Sequence, residues 1–364
     1  MKKVLRDGQT FSCANVLRPL TPLSPRVLPI LLAGYPLVPV FRVMDGEQHR
    51  RQRQLWADGF GPDQLEGIRG YLTKRATSLA EDMIAGKRPA EFMAAYANPL
   101  TISAICQMIG YRPEHHTAVG EDTAKAAALA MGHLFLSDDE QVEAAQSWVQ
   151  CQKLIGRYIA ERMVEPGDDL IGEAVRAYAP SGAPVTEDQE AELVASIFGV
   201  TLAGHVTSSA LLGDGVLRLL EHPEQWRLLC NQPQLIRTAI EEIARFCSPG
   251  HIFLRKTTRD TTLAGQELPA GAEVAVLLAA ANRDGAAFDR PAELDITRRQ
   301  RIGHVTFGYG PHFCLGAGLG RLELEISLRI LTERLPTLRL VPGQPSTSRP
   351  WLAQKCPFTV PVTW

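Results

Sequence analysis

A long and almost uniformly apolar helix is the feature that most restricts how this chain can fold. The helix is predicted to begin after Thr186, which forms a capping box with Gln189, and to continue to about Glu221. A helix of this length that is apolar on most faces cannot lie on a protein surface, because water would then contact part of its apolar side. The rest of the chain must therefore pack around it.

The remaining sequence predicts a helix-rich part, at about residues 45–246, followed by a sheet-rich part, at about residues 247–364. Amphipathic periodicity fills the first part and stops at Ser248-Pro249. Short strand patterns separated by turn residues fill the second part, which also contains a last helix from about Leu315 to Leu335. We expect a mainly α protein with small β-sheets, of the α+β class. Because no linker or repeat divides the chain, we expect one domain over residues 1–364.

Composition and charge exclude several classes of protein. The chain is 45% hydrophobic and 21% charged, which is typical of globular proteins, and its formal net charge of -2 gives no reason to expect nucleic acid or a membrane as partner. The charged residues at the start leave no apolar core for a secretory signal. The apolar stretch from Val27 to Phe41 contains prolines and is too short to span a bilayer. We therefore expect a cytoplasmic protein.

One cysteine stands apart from the other six, which are scattered without disulfide or zinc-site spacing. Cys314 lies in a glycine-dense segment at the start of the last predicted helix. Unpaired N–H groups and the positive end of the helix dipole favour a thiolate there. Gly308 and Gly310 allow a positive φ that brings backbone donors close to the sulfur. The alternative interpretation is an inert, buried cysteine in a turn.

The segment Phe307-Gly-Tyr-Gly-Pro-His-Phe-Cys-Leu-Gly316 resembles the F-G-x-G-x-H-x-C-x-G signature of the cytochrome P450 family at every fixed position. The resemblance implies that Cys314 is the axial ligand of a haem iron and that Phe307, Gly308 and Gly316 belong to the cofactor-binding loop. It also implies the mostly helical fold of the family, with haem b between the long helix and the last one. The family's N-terminal sheet and first helix are missing before Val4, so either this member lacks them or the sequence begins at an internal Met.

Four basic side chains match those that hold the two haem propionates in the family. His49 and Arg53 are four residues apart and share a helix face, Arg255 opens a predicted strand, and His312 belongs to the signature. The alternative for each side chain taken singly is a solvated basic residue.

A second group of residues is predicted to support the cysteine loop. Glu242-Ile-Ala-Arg245 resembles the family's E-x-x-R motif, and Arg298 resembles the third member of the family's buried Glu-Arg-Arg cluster. The E-x-x-R spacing alone is a weak signal, because surface pairs three residues apart are common. We expect a structural role for Glu242, Arg245 and Arg298.

The long helix contains a second resemblance, to the family's A-G-x-[D/E]-T-[T/S] motif. It implies that Ala203 and Gly204 face the oxygen-binding side of the haem and that the Thr207 hydroxyl helps to transfer protons. The alternative is a buried helix in which Thr207 is hydrogen-bonded back to its own backbone.

Val206 departs from this motif, since it stands where the family usually has an acid. Proton delivery is then expected to depend on Thr207, Ser208, ordered water or the substrate. His205 lies about 100° further around the helix than Gly204, so we do not expect it to bind iron.

The resemblance implies a haem-thiolate monooxygenase that activates dioxygen to oxidise a small organic substrate, with electrons from a ferredoxin or a similar donor. By family analogy we expect a tailoring step in bacterial natural-product biosynthesis. Two alternatives remain: a peroxide-driven peroxygenase or oxidative coupling enzyme, favoured by Val206, and a non-catalytic haem-binding protein, disfavoured because Thr207 is retained. The predicted substrate pocket comprises the loop at residues 13–43, the helix residues Val200, Ala203 and Gly204, the strand residues Ile252 and Phe253, and Trp351 and Leu352 near the C-terminus.

Overall fold

The computed structural model describes residues 1–16, 21–131, 136–180, 183–299 and 302–364. Their helices are α1 (Lys2–Arg6), α2 (Val27–Leu32), α3 (Gly46–Ala57), α4 (Pro62–Ala85), α5 (Asn98–Ile109), α6 (His116–Met131), α7 (Asp138–Val164), α8 (Leu170–Tyr178), α9 (Glu187–Glu221), α10 (Pro223–Asn231), α11 (Ile236–Cys247), α12 (Leu278–Ala281) and α13 (Ala317–Arg334). Single turns of 3₁₀-helix and one short π-helix at Met93–Ala97 connect some of them.

The strands form small antiparallel sheets. They are β1 (Phe11–Ser12), β2 (Ala90–Glu91), β3 (Ile252–Thr257), β4 (Thr261–Leu263), β5 (Gln266–Leu268), β6 (Glu273–Leu277), β7 (Arg339–Leu340), β8 (Thr347–Ser348), β9 (Pro357–Thr359) and β10 (Pro361–Thr363). Two sheets have the orders β1-β3-β6 and β2-β10-β7, and β4-β5 and β8-β9 form two-stranded ribbons. Most strands therefore follow α11, and the mainly α prediction with small sheets is confirmed.

The central helix is α9, as predicted. The Thr186 hydroxyl accepts a hydrogen bond from the Gln189 N–H, and the Gln189 side chain accepts one from the Thr186 N–H, which completes the capping box. Within the described residues, α9 is the helix whose length and composition would allow it to cross a membrane, but 67% of its apolar stretch is buried inside the protein. It packs against α5, α6, α7, α11 and α13.

The last strands and the last helix each have a local feature that the short connections beside them explain. The strands β9 and β10 do not pair with each other, since β9 pairs with β8 and β10 pairs with β7 and β2. Only Val360 separates them, and a hairpin needs a loop of at least about two residues. The last helix begins at Ala317 rather than Leu315, because Leu315 and Gly316 form the turn that follows Cys314.

Candidate functional site

The loop that carries Cys314 is closed by its own backbone. The Cys314 N–H donates to the Phe307 carbonyl oxygen at 2.7 Å, and the Gly308 N–H donates to the Val305 carbonyl oxygen at 2.8 Å. Gly308 and Gly310 have φ angles of +76° and +79°, which side chains with a Cβ rarely adopt. The glycines of the segment are thus required for the loop that holds Cys314 ahead of α13.

The Cys314 thiol opens onto a cavity but is otherwise surrounded by protein. Burial raises its pKa, whereas the Gly316 N–H and three guanidinium groups, those of Arg53, Arg321 and Arg42, lower it. Burial has the larger effect, so the helix terminus does not by itself produce the thiolate that the sequence predicts. A metal ion bound to the sulfur would remove the thiol proton, and the same N–H and guanidinium groups would then stabilise the thiolate.

The cavity lies between α9 and the segment around Cys314. One face of α9 lines it with Gly199, Val200, Ala203, Gly204, Thr207, Ser208 and Leu211. The facing wall contains Thr306, Phe307, Gly308, Leu315, Gly316, Leu319 and Gly320. A Cβ added at Gly316 would meet no atom within 4 Å, so its missing side chain leaves the space beside Cys314 open. The two walls therefore leave room for a flat macrocycle bound through its iron.

Three arginines line the cavity without an acidic partner. Among the described residues, Arg42, Arg53 and Arg255 form no ion pair, and burial lowers the pKa of each guanidinium. Arg53 donates to the Phe313 carbonyl oxygen at 2.6 Å and Arg255 to the Leu254 carbonyl oxygen at 2.8 Å. Uncompensated buried cations are costly unless an anion joins them. The site thus fits an anionic cofactor such as haem with its two propionates.

The two histidines of the predicted propionate site lie together. The His49 and His312 rings are 4.1 Å apart between centroids, but His312 lines the cavity whereas His49 lies behind it. The His49 Nε2 atom is buried and has no hydrogen-bond partner among the described residues, and burial lowers the pKa of His49 to about 4. His312 lies 3.5 Å from Asp45 Oδ1 and 3.4 Å from Cys13 Sγ. Of the two histidines, His312 is therefore the one placed to contact an anion in the cavity.

The predicted oxygen-side residues divide between two faces of α9. Ala203 and Thr207 line the cavity, and the Thr207 hydroxyl donates to the Ala203 carbonyl oxygen at 2.7 Å. The Val206 side chain does not line this cavity but a separate cleft, which it shares with His205 and Trp351. Val206 therefore lies outside the cavity that Ala203 and Thr207 line.

Gly204 also lines the cavity, and packing between helices explains why residue 204 is small. A Cβ there would lie 2.6 Å from two carbon atoms of the Ile105 side chain. Glycine is thus required by the close approach of α5 to α9. His205 also faces α5, where its Nδ1 atom lies 3.1 Å from the Thr101 hydroxyl, so it does not point towards the iron position.

The structure brings together part of the predicted substrate pocket. Val200 and Phe253 line the cavity, as do Val16, Phe41 and Arg42 of the loop at residues 13–43, of which residues 17–20 lie outside the described part of the chain. Ile252 does not line it, because neighbouring residues of a strand point to opposite faces. Trp351 lines the Val206 cleft instead, and Leu352 lines neither space. These three residues are corrections to the predicted pocket.

The three supporting residues form one buried cluster away from the cavity. Glu242 accepts hydrogen bonds from Arg245 Nε and Nη2, both at 2.8 Å, and from Arg298 Nε at 3.0 Å. Both Glu242 and Arg245 have fully buried side chains. Arg245 also donates to the carbonyl oxygens of Asn282 and Pro291 at 2.9 Å, which ties α11 to the segment that precedes the cysteine loop.

Two charged residues, one on the cavity wall and one buried on α13, were not predicted from the sequence. Arg42 follows an apolar stretch and has no motif of its own, so the sequence gives no signal for it. Glu323 lies on α13 with both carboxyl oxygens buried and without a partner among the described residues. A signal for Glu323 was present, because an acid interrupts the apolar stripe that Leu319, Ile326 and Ile330 form at helical spacing.

Comparison with known proteins agrees with this geometry. The family model described as "Cytochrome P450" matches residues 229–335. The chain is 31% identical over 369 residues to the Mycinamicin IV hydroxylase/epoxidase of Micromonospora griseorubida, covering 100% of this chain and 87% of that protein. It is 32% identical over 370 residues to the Nocardicin C N-oxygenase of Nocardia uniformis subsp. tsuyamanensis, with coverage of 100% and 87%.

A solved structure is similar over the whole chain. This is the cytochrome P450 CREJ in complex with (4-ethylphenyl) dihydrogen phosphate, with a TM-score of 0.93 and 28% identity, covering 100% of this chain and 89% of that one. The cysteine loop and the cavity beside it agree with the relatives, which are above 30% identical over nearly their full length. The chain is therefore a bacterial monooxygenase that belongs to the cytochrome P450 family.

Proposed function

We propose that this enzyme binds haem b through Cys314 and uses dioxygen, with electrons from a ferredoxin or a similar donor, to oxidise a small organic molecule in bacterial natural-product biosynthesis. The proposed setting is cytoplasmic, in a single domain. The observation that carries the proposal is the set of three arginines without ion-pair partners among the described residues, Arg255 buried and Arg42 and Arg53 half-buried, beside a cysteine that opens onto the same cavity. The mycinamicin and nocardicin oxygenases to which the chain is similar support the assignment to natural-product biosynthesis.

The residues of the cavity have separable tasks in this proposal. The propionates are held by His312 together with Arg42, Arg53 and Arg255. His49 packs against the His312 ring and supports it from behind. Haem held by a thiolate supplies the activation of dioxygen. The apolar residues Val200 and Phe253, which also line the cavity, bind the substrate and exclude water from it.

Thr207 and Ser208 are the hydroxyl groups that α9 places on the cavity wall. We propose that they hold water near the oxygen-binding side and transfer protons there. Thr207 must exchange its hydrogen bond to the Ala203 carbonyl oxygen for one to water or substrate when it does so.

Cys314→Ser tests the ligation. The carbon monoxide complex of the reduced wild-type protein should absorb at the red-shifted position typical of the family, and Cys314→Ser should lose both this band and activity. Cys230→Ser, which changes a half-buried free cysteine outside the cavity, is the control and should keep the band. A red-shifted band in Cys314→Ser would refute the assignment.

A peroxide-driven peroxygenase or an oxidative coupling enzyme is the second candidate. It is favoured by the absence of an acidic side chain among the residues that line the described cavity and by the Thr207 hydroxyl bonded to its own helix. Turnover with hydrogen peroxide compared with turnover with reduced ferredoxin separates the two candidates. A protein that consumes no oxygen under either condition would instead be a haem-binding protein without catalysis.

The substrate can be sought by its effect on the haem absorption band. Compounds that displace water from the iron shift this band, so a screen of small apolar natural products should identify those that enter the cavity. Phe253→Ala should weaken the binding of such a compound by about 2 to 4 kcal/mol if the ring packs against it.

A further inference from the structure

The Val206 cleft lies on the side of α9 that faces away from the haem cavity. From α9 it is lined by His205, Val206 and Ser209. The haem cavity is lined by Ala203 and Thr207 of the same helix, and a rotation of about 100° per residue places the two sets on opposite faces. Within the described parts of the chain, the two spaces share no lining residue. The cleft is therefore a separate site rather than an extension of the haem cavity.

The cleft has the size and the mixed lining of a small-molecule site. Its volume is about 550 Å³, and its other walls come from α4, α5, α6 and the segment that contains β9. Tyr71, Ile102 and Trp351 give these walls an aromatic and apolar surface. Pockets that bind small molecules typically measure about 300 to 1,000 Å³ and combine such a surface with a few polar groups. An organic molecule therefore fits this space better than an inorganic ion.

The charged groups of the cleft are mostly basic. Arg75, Arg349, His116 and His205 line it, and the exposed Glu121 is the one acid that lines it among the described residues. Neither Arg75 nor Arg349 forms an ion pair with a described residue, although both are half-buried. A partly desolvated guanidinium group without a counter-charge favours the binding of an anion.

Arg349 is held in place without an anionic partner. Its guanidinium carbon lies 5.1 Å from the centroid of the Trp351 ring and 5.0 Å from that of the Phe358 ring. The Cys356 thiol beside it stays neutral, because burial raises its pKa to about 11 although Arg349 lowers it. Stacking on rings fixes the plane of a guanidinium group and leaves N–H donors within that plane available. Arg349 can therefore donate to an anion in the cleft.

The two histidines add hydrogen-bonding atoms but no charge. His116 donates through Nε2 to the Tyr111 carbonyl oxygen at 3.1 Å, and His205 Nδ1 lies 3.1 Å from the Thr101 hydroxyl. Burial lowers the pKa of both, for His205 to about 4, so both are neutral at pH 7. Val206, which stands where the family usually has an acid, adds only apolar surface. The two arginines are thus the cations that a ligand must match.

We propose that the Val206 cleft is a second binding site, for a small organic anion whose acid group binds the guanidinium groups of Arg75 and Arg349 and whose apolar body packs on Trp351. The anion supplies the counter-charge that the described residues of the cleft lack. The body covers apolar side chains that an inorganic anion would leave exposed to water. The inference goes beyond the reaction at the haem, since the ligand contacts none of the residues that line the haem cavity.

Calorimetric titration of cinnamate into the holoenzyme tests the site. The iron is first saturated with imidazole, which occupies the haem cavity, so that the heat reports binding elsewhere. Cinnamate should bind with a stoichiometry of one and leave the haem absorption band unchanged. Cinnamamide, which has the same body without the charge, should bind about tenfold more weakly or worse. Sodium sulfate at the same concentration should give no saturable heat.

Substitutions in the cleft locate the bound anion. Arg349→Gln and Arg75→Gln should each raise the Kd of cinnamate about tenfold, because each removes a charged hydrogen-bond donor. Arg349→Lys keeps the charge and should raise it less than Arg349→Gln. Ala124→Phe adds a ring to the half-buried wall of α6 and should abolish binding. Arg157→Gln, which changes an exposed arginine of α7 outside the cleft, is the control and should bind cinnamate as the wild-type protein does.

Folding of the variants is checked by the red-shifted carbon monoxide band, which all of them should keep. The inference is overturned if millimolar cinnamate gives no saturable heat, if cinnamate and cinnamamide bind equally well, or if both glutamine variants bind cinnamate with unchanged affinity. Binding that saturation with imidazole abolishes would place cinnamate in the haem cavity and would also overturn it.

Discussion

Removal of the charge on Glu242 is the sharpest test of how the cysteine loop is supported. Glu242→Gln keeps the shape of the side chain but places an amide N–H₂ group where a carboxylate oxygen accepts hydrogen bonds from guanidinium groups. Both carboxylate oxygens accept from Arg245 and from Arg298, and Oε1 also accepts from the Asp295 N–H at 3.0 Å. The substitution leaves two neighbouring guanidinium groups without their counter-charge.

The expected cost follows from the burial of this cluster. The side chains of Glu242 and Arg245 are 0% exposed and that of Arg298 is 8% exposed, so water cannot replace the lost partner. Breaking a buried ion pair from one side typically costs about 3 to 5 kcal/mol. Because folded proteins are stable by only about 5 to 15 kcal/mol, this loss is a large part of the free energy of unfolding.

The assay is urea unfolding followed by tryptophan fluorescence, together with the haem content of the purified protein. Glu242→Gln should unfold at a much lower urea concentration and retain little haem. Glu47→Gln is the matched control, since Glu47 and Arg50 have the same three-residue spacing but side chains that are 80% and 68% exposed. It should change stability by less than about 1 kcal/mol. Equal unfolding midpoints for both variants would refute the argument.

Three further outcomes follow from the site. Glu323→Gln should stabilise the protein by about 3 kcal/mol at pH 7 and by little at pH 4. The reason is that a pKa raised from 4.5 to about 8 makes the stability of the wild-type protein fall as the pH rises through that interval. Urea unfolding at both pH values checks this, and a gain in stability that does not depend on pH would contradict it. Arg53→Gln should speed haem transfer to apomyoglobin about tenfold or more, since a charged hydrogen bond contributes about 1.5 to 3 kcal/mol; an unchanged rate would mean that Arg53 holds no propionate. Val206→Glu should lower the urea midpoint without changing the carbon monoxide band, because Val206 is buried and lies outside the haem cavity.

The sequence predicts most successfully where local chemistry decides the structure. The start of α9 depends on Thr186 and Gln189, which satisfy each other's backbone N–H groups without help from distant residues. The cysteine loop likewise depends on its own glycines and on hydrogen bonds within a few residues. These features can be inferred from the sequence because the residues that form them are close together in the chain.

Prediction fails where the decisive partner is distant in the chain. Arg42 lines the same cavity as Cys314, which is far later in the chain, and nothing near Arg42 in the sequence indicates this. Residue 204 is small because the Ile105 side chain packs against it, and Ile105 is about one hundred residues earlier and on another helix. Motif resemblance finds a position such as Gly204, whereas only the packing explains why the residue there must be small.

Val206 shows what a departure from a motif can mean. Neighbouring helix residues point about 100° apart, and this rotation, which removes His205 from the iron, also turns Val206 away from the cavity face that contains Thr207. An acid at position 206 would lie in the same cleft and would need Thr207 or water to reach the oxygen side. Its absence therefore leaves the polar groups of the cavity wall unchanged, since Thr207 and Ser208 still place their hydroxyl groups there. Turnover with hydrogen peroxide compared with turnover with reduced ferredoxin, rather than the identity of residue 206, therefore decides between the monooxygenase and the peroxide-driven enzyme.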